Sequence, residues 1–491
     1  MFRLEPQTLS DTASRGKFQG QWGWLLASAL LLAAQISPFF YPTPDASQYL
    51  SIASSLGHGR GLTLHGSPHL FFPPGYPTLI SPLFLISDRP FWELSIVHWF
   101  LAMALMGGVY VWARRVAPAA AVWIAALSVA TGAMWLHFRR PLSEMAFMNG
   151  CVWSVNLLDV AMRARWMSAR VASSLGAAAL LAATCVVRSL GIAFAGGCCV
   201  AILLAAWRGQ FPWRRAVAVS LLLAVTAAAV VGGVIVREHM TAALIGGQTY
   251  LDIFKAKAAT GVSGYLNGLQ ICIADAGRDM IPGMLKSYGS PGKWLNINLL
   301  LLYLPLFVLL AWGWTRWVRR QTDPLAWSVP LYLTVLIAYW GDSGGRYCLP
   351  LLPALWVCLW FALERLGNQR FRILAVLWGL HVAAALGYWL GVDLPWARAI
   401  NRQWPLVERV VAEVRSEPGP LATDATLSDF APLLELSLDR PVEDNFEDPK
   451  VLDKMQWLMV RMARLDQPVP PGFSLHCKLG PYCLLHRSGG P

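Results

Sequence analysis

Residues 92–115 read WELSIVHWFLAMALMGGVYVWARR, an apolar run with one glutamate near its start and Arg114 and Arg115 at its end. A helix needs about twenty predominantly apolar residues to cross the hydrocarbon core of a bilayer. Arginine and lysine concentrate at the cytoplasmic ends of such helices. The stretch therefore predicts a transmembrane helix and its direction, from outside to inside.

The same reading, carried outward, gives eleven candidate spans: 22–40, 92–113, 118–137, 143–161, 171–186, 190–207, 215–236, 296–314, 324–340, 347–363 and 373–390. The fifth is short, and 74–87 suits a re-entrant or interfacial helix. Loop charge tests the count independently. With Arg3, Arg15 and Lys17 inside, the inner loops carry Arg114-Arg115, then Arg163, Arg165 and Arg170. The next carry Arg208, Arg214 and Arg215, then Arg316, Arg319 and Arg320, and last Arg365, Arg370 and Arg372. Every inner loop holds at least two arginines, so the alternation is consistent. The expected fold class is an α-helical polytopic membrane protein of about eleven transmembrane helices with a small C-terminal extracytoplasmic α/β domain. Residues 1–21 are expected to be cytoplasmic and 22–390 to form the membrane domain, with outer loops 41–91 and 237–295. Residues 391–491 are then extracytoplasmic. The expected location is the plasma (inner) membrane.

Composition agrees. The 491 residues are 56% hydrophobic and 14% charged, against about 25% charged in soluble domains. Net charge is +12, but its excess lies in short inner loops, so nucleic acid is not an expected partner. From Val392 onward there are 14 acids and 11 bases. Of nine cysteines, Cys151, Cys185, Cys198, Cys199 and Cys358 lie in apolar segments, and no zinc-ligand spacing appears. Cys477 and Cys483 flank a Gly-Pro turn and are read equally well as a disulfide or as two free thiols. In the tail, apolar spacing predicts helices at 406–414 and 453–464, a strand at 420–426 and a hairpin at 473–486 around Gly480-Pro481.

Some polar residues are not required by topology. Arg139-Arg140, Arg188 and Arg346 fall at outer ends of spans, and Asp45, Glu144 and Asp342 fall at the same level. Charges at membrane depth usually face a cavity or each other. Two readings follow: a cavity for an anionic ligand, or mutual salt bridges at the headgroup level. Asp45, in Pro42-Thr43-Pro44-Asp45-Ala46-Ser47-Gln48-Tyr49, is also a candidate helix N-cap.

Asp45 with Tyr49, the glycines Gly57, Gly59 and Gly61, and Pro73-Pro74-Gly75-Tyr76-Pro77 together resemble the first outer loop of GT-C membrane glycosyltransferases. The likeness is to the branch with protein mannosyltransferases and the lipid A aminoarabinose transferase. Pro141-Leu142-Ser143-Glu144 resembles the second outer loop of that branch. Gly345-Arg346-Tyr347-Cys348-Leu349-Pro350 resembles its late Arg-Tyr-x-Leu-Pro motif. The resemblance implies a polyprenyl-phosphate-linked sugar donor, transfer outside the cytoplasm to a glycan, lipid or protein hydroxyl, and inversion in one displacement (the EC 2.4 class). Asp45 is the expected base and Glu144 a helper positioning substrate or metal. Arg346, then Arg188 and Arg139-Arg140, are expected on the departing phosphate, with Tyr49, Tyr76 and Tyr347 lining the substrate. No cofactor is certain from the resemblance. A divalent metal stays open, with His58, His65 and His69 as available ligands.

Two features depart from the pattern. Asp45 stands between Pro44 and Ala46 where some protein mannosyltransferases carry adjacent acids, and Trp340-Gly341-Asp342 only echoes the oligosaccharyltransferase signature. The alternative class is a transporter or flippase of a lipid-linked anionic substrate, and a third reading is a GT-C-like scaffold without activity.

Overall fold

The computed structural model describes residues 22–69, 72–245, 249, 252, 255–256, 261–282, 293–339, 346–416, 419–423, 431–443, 452–462, 469–479 and 481–487. Helix Phe91–Val116 realises the opening stretch with 26 residues, about 39 Å at 1.5 Å per residue. Glu93 lies in its first turn and Arg114 and Arg115 in its last, which suits both the helix dipole and the membrane charge rule.

Each of the eleven predicted segments is helical, but eleven full-length spans are not found. Among the described residues six helices are long and apolar enough to cross: Phe91–Val116, Glu144–Arg163, Met167–Val187, Trp213–Ala243, Arg346–Leu366 and Gln369–Asn401. A seventh is a broken pair, Pro118–Ala130 and Gly132–Arg139, bent by 53°. Trp22–Ala33, Gly191–Trp207 and Pro324–Ala338 are shorter apolar helices. The first ends early because residues 34–38 run into a turn before Pro38. The fifth segment, expected to be short, has 21 residues. Residues 74–87 form two short helices, Gly75–Ile80 and Ser81–Leu85.

The bend at Thr131 shapes the site. Thr131 is extended, and its hydroxyl accepts the Met134 N–H at 3.3 Å, so the broken ladder keeps a partner at a fully buried position. The second piece carries His137 and Arg139 in its last turn. Close backbone packing holds the bundle together. A Cβ on Gly313 would lie 1.8 Å from the Cys358 carbonyl, and one on Gly150 would lie 2.0 Å from the Thr184 hydroxyl. Small residues at helix crossings are the usual device in membranes, where lipid competes with side chains for apolar contact.

Helix Gln369–Tyr388 does not stop at 390. It continues through a π-turn at Trp389–Asp393 into Leu394–Asn401. A short antiparallel hairpin, β1 (Thr63–Leu64) and β2 (Ser67–Pro68), lies before Gly75. After helix Trp404–Ser416 come β3 (Leu421–Thr423), β4 (Val442–Glu443), β5 (Trp457–Arg461), β6 (Phe473–Leu479) and β7 (Tyr482–Arg487), a five-stranded sheet in the order β4-β3-β5-β7-β6. β3 is parallel to β4 and β5, and the rest pair antiparallel. The helix expected at 453–464 is therefore a correction: β5 occupies it. Trp457, Leu458, Met459 and Val460 are all buried because β5 is central and covered on both faces. Trp457, Met459 and Leu484 line one face, and Leu458, Val460 and Cys483 the other. Cys477 packs on the first face and Cys483 lies in the second. Both thiols are free, and their opposite faces exclude the disulfide.

The tail shares its core with the first outer loop. Tyr49, Leu50 and Tyr76 belong to the same buried cluster as Val407, Leu433, Trp457 and Leu484. Ser47 donates to Glu435 at 2.7 Å, Ser51 to Asp439 at 2.7 Å, and Arg60 to Asp439 at 2.9 Å.

Candidate active site

Helix Pro44–Gly57 starts with Thr43 as its N-cap, whose hydroxyl accepts the Ala46 N–H at 3.1 Å. Thr43, not Asp45, is thus the cap. Pro44 occupies N1, where its missing N–H is no loss, and Asp45 in the first turn keeps a free carboxylate. That carboxylate pairs closely with Arg346 Nη1.

Arg346 opens the 3₁₀ turn Arg346–Leu351. Its Nε lies 3.7 Å from Glu144 Oε1. Glu144 begins helix Glu144–Arg163, and its Oε1 also accepts Arg188 Nη1 at 2.5 Å. Arg188 caps the C-terminus of helix Met167–Val187. Two acids and two arginines from four elements thus alternate: Asp45, Arg346, Glu144, Arg188. Burial works against the charge on Arg188, yet the Glu144 carboxylate beside it holds the guanidinium well above its ordinary range. Glu144 is 1% exposed, and its Oε2 has no hydrogen-bond partner among the described residues.

Aromatic rings enclose this chain of charges. The Arg188 guanidinium lies 4.7 Å from the Tyr347 ring centre, and that of Arg346 lies 5.4 Å from it. Tyr332 donates to the Tyr347 carbonyl at 3.0 Å. Tyr49 donates to the Ser143 hydroxyl at 3.2 Å, and burial pushes its phenol up to about 12. Tyr76 stands behind it, ring edge to face at 5.2 Å. Its hydroxyl is taken up by His98 Nε2 at 2.7 Å. The other ring nitrogen of His98 faces the Phe138 carbonyl at 2.7 Å, so Nδ1 carries the proton and Nε2 accepts. Tyr76 therefore packs behind Tyr49 with its hydroxyl engaged by His98.

Arg139 is placed elsewhere. Its Nε donates to Asp393 Oδ2 at 2.7 Å and its Nη1 to Gln35 Oε1 at 2.6 Å. Fully buried and doubly engaged, it ties the bent helix to the π-turn. Arg140 is half-buried, and its Nε has no partner among the described residues. Asp342 lies outside the described residues.

Among the loop histidines, His58 Nδ1 meets the Ser54 carbonyl at 2.8 Å. His65 Nε2 lies 3.2 Å from Glu435 Oε1, within ion-pair distance but without hydrogen-bond geometry. His69 accepts the Phe72 N–H. Burial, reinforced by Arg237 and His65, lowers its imidazole to about 4. Among the described residues no three His, Cys, Asp or Glu gather into a cation site. The arginines on Glu144 suit an anion better than a metal.

His137 was not anticipated from sequence. It is 3% exposed, both ring nitrogens lack partners among the described residues, and it interacts electrostatically with Glu144, Arg140, Arg346 and Arg188. Nothing in the sequence marks it, since a lone histidine in an apolar helix reads as core.

No family model matches this chain, and no curated protein matches it. Its overall fold nevertheless matches that of solved structures at low sequence identity. The chain is similar to ArnT from Cupriavidus metallidurans bound to undecaprenyl phosphate, with TM-score 0.58 and 12% identity over 96% of this chain and 99% of that one. It is also similar to the archaeal oligosaccharyltransferase AglB from Archaeoglobus fulgidus, in complex with an inhibitory peptide and a dolichol-phosphate. There the TM-score is 0.56 at 13% identity, over 92% of this chain and 70% of that one.

Proposed function

We propose that this chain is a glycosyltransferase that moves a sugar from a polyprenyl-phosphate donor to an acceptor hydroxyl on the non-cytoplasmic face. The observation that carries this reading is the Asp45–Arg346–Glu144–Arg188 alternation. In the resting site Arg346 neutralises Asp45. A donor phosphate brings a stronger negative charge to the same guanidinium and competes for it. Asp45 is then released to act as a base. The acceptor O–H gives its proton to Asp45 as the oxygen bonds to the anomeric carbon, and the bond from that carbon to the phosphate oxygen breaks. The electron pair leaves with the phosphate, stabilised by Arg346 and Arg188. One displacement on one carboxylate inverts the anomeric centre. Glu144 Oε2 and the His137 ring nitrogens, buried without partners among the described residues, fit the hydroxyls of a bound sugar. The similar ArnT and AglB structures, one bound to undecaprenyl phosphate and the other to a dolichol-phosphate, support this donor class.

The inner-loop arginines support an N-terminus inside and residues 391–491 outside. In this reading 1–21 is cytoplasmic, 22–390 is the catalytic membrane domain, and the tail guides the acceptor. A cleft of about 460 Å³ between the first outer loop and the tail supports that last role, with Arg60, Arg89, Trp404 and Asp439 in its walls.

The test has two parts. Mass spectrometry of surface glycans, glycolipids and glycoproteins in a knockout should reveal one missing monosaccharide. Complementation with Asp45→Asn should then restore roughly 10²–10⁴-fold less transfer, the usual contribution of a positioned base. Full activity of Asp45→Asn would reject this mechanism, and a transporter or scaffold would show that indifference.

A further inference from the structure

At the end of the bundle opposite Asp45, the ends of Phe91–Val116, Glu144–Arg163, Gly191–Trp207 and Lys293–Arg320 enclose a cavity of about 440 Å³. Its rim is basic and its floor apolar, with Leu158, Ile202 and Ala205 among the lining residues.

Arg115, Arg163 and Arg320 line the rim, and each belongs to a triad of two arginines on one acid; Arg316 and Glu364 of the second triad lie outside the lining. Asp159 receives Arg163 at 2.7 Å and Arg115 at 3.4 Å. Glu364 receives Arg320 at 2.6 Å and Arg316 at 3.3 Å. Each triad keeps one uncompensated positive charge. The remaining acid in the lining, Asp323, is committed inward. Its Oδ2 accepts Trp112 Nε1 at 3.1 Å, and its Oδ1 accepts the Leu325 N–H at 2.9 Å.

A second observation fixes the level of the cavity. Trp166, Trp207 and Trp213 are 79%, 77% and 54% exposed, and they adjoin the lining segments in sequence. Exposed tryptophans at helix ends mark the membrane–water interface. A basic rim at headgroup depth over an apolar floor has the shape and charge of a lipid site.

We propose that this cavity binds an anionic glycerophospholipid of the cytoplasmic leaflet, with its phosphate on Arg115, Arg163 and Arg320 and the start of an acyl chain along Leu158, Ile202 and Ala205. The proposal rests on sidedness and stands apart from the catalytic reading. Such a lipid braces the inner end of the helix that carries Glu144 at its outer end.

The full chain, purified from nanodiscs of phosphatidylcholine with phosphatidylglycerol, is examined by native mass spectrometry for retained lipid. The wild type should retain phosphatidylglycerol over phosphatidylcholine by roughly tenfold or more. Arg115→Gln with Arg163→Gln should abolish that preference, whereas Arg214→Gln, an exposed arginine outside the cavity, should keep it. Ala205→Phe fills the floor and leaves every arginine in place, so its loss of preference decides the case if the double variant does not fold. Equal retention of both lipids by the wild type overturns the proposal, as does an unchanged preference in Ala205→Phe. Equal thermal protection by inorganic phosphate without lipid also overturns it, in favour of a free-anion site.

Discussion

Arg346 stands between Asp45 and Glu144, with Nη1 paired to the first carboxylate and Nε 3.7 Å from the second. One planar group thus serves two acids, a geometry that lysine cannot copy because its charge sits at a single point. Arg346→Lys should retain the fold yet lower kcat/KM for the lipid-linked donor by roughly tenfold to a hundredfold. Steady-state transfer in proteoliposomes measures it. Wild-type values in Arg346→Lys would mean that the bridge is not used in turnover.

Glu144 and Arg188 form a buried pair, so removing one partner strands the other. Arg188→Met should destabilise the protein by about 3–5 kcal/mol. Adding Glu144→Gln to that variant should recover part of the loss, because the stranded charge is gone. Thermal unfolding in detergent gives the ranking: wild type, then double variant, then single. A double variant less stable than Arg188→Met would contradict it.

Arg139 ties the bent helix to Asp393 and Gln35. Arg139→Met should lower the unfolding midpoint, while each folded molecule keeps near-normal turnover. Turnover normalised to folded protein separates the two effects. A large loss at unchanged stability would return Arg139 to the catalytic centre.

Asp323 supplies a pH test. Burial pushes its carboxyl up to about 6, above the ordinary value of about 3.9 for an unfolded chain. Between those values the folded protein holds a proton that the unfolded chain has released, so its contribution is greatest below about pH 4. It declines as pH rises through about 6 and is flat above, an effect on the order of 2–3 kcal/mol. In Asp323→Asn that slope should vanish. Unfolding midpoints from pH 4 to 7 report it, and identical slopes in both proteins would assign the titration to another group.

The tail and first outer loop should unfold together, since they bury one core. Glu435→Ala removes the acceptor of Ser47 and should raise proteolysis within residues 58–69 as well as in the tail. Protection of the loop in that variant would show that the two parts are stable separately.

The sequence alone determined where the helices lie and supplied the expectation of which way they cross. Those signals are one-dimensional: apolar length matches bilayer thickness, and loop arginines mark the inner side. It also located Asp45, Glu144, Arg188 and Arg346, because charge at membrane depth is expensive enough to stand out against an apolar background. Only the tertiary structure decided which of these charges meet. Arg139 and Arg346 look alike in sequence, yet a 53° bend sends the first to Asp393, and a 3₁₀ turn delivers the second to Asp45. Likewise Trp457–Arg461 has apolar spacing open to helix or strand until β3 and β7 flank it. His137 acquires its importance only from neighbours that the fold brings to it. Partners separated by as many as 388 positions, as Ser47 and Glu435 are, are set by packing, which local spacing does not encode.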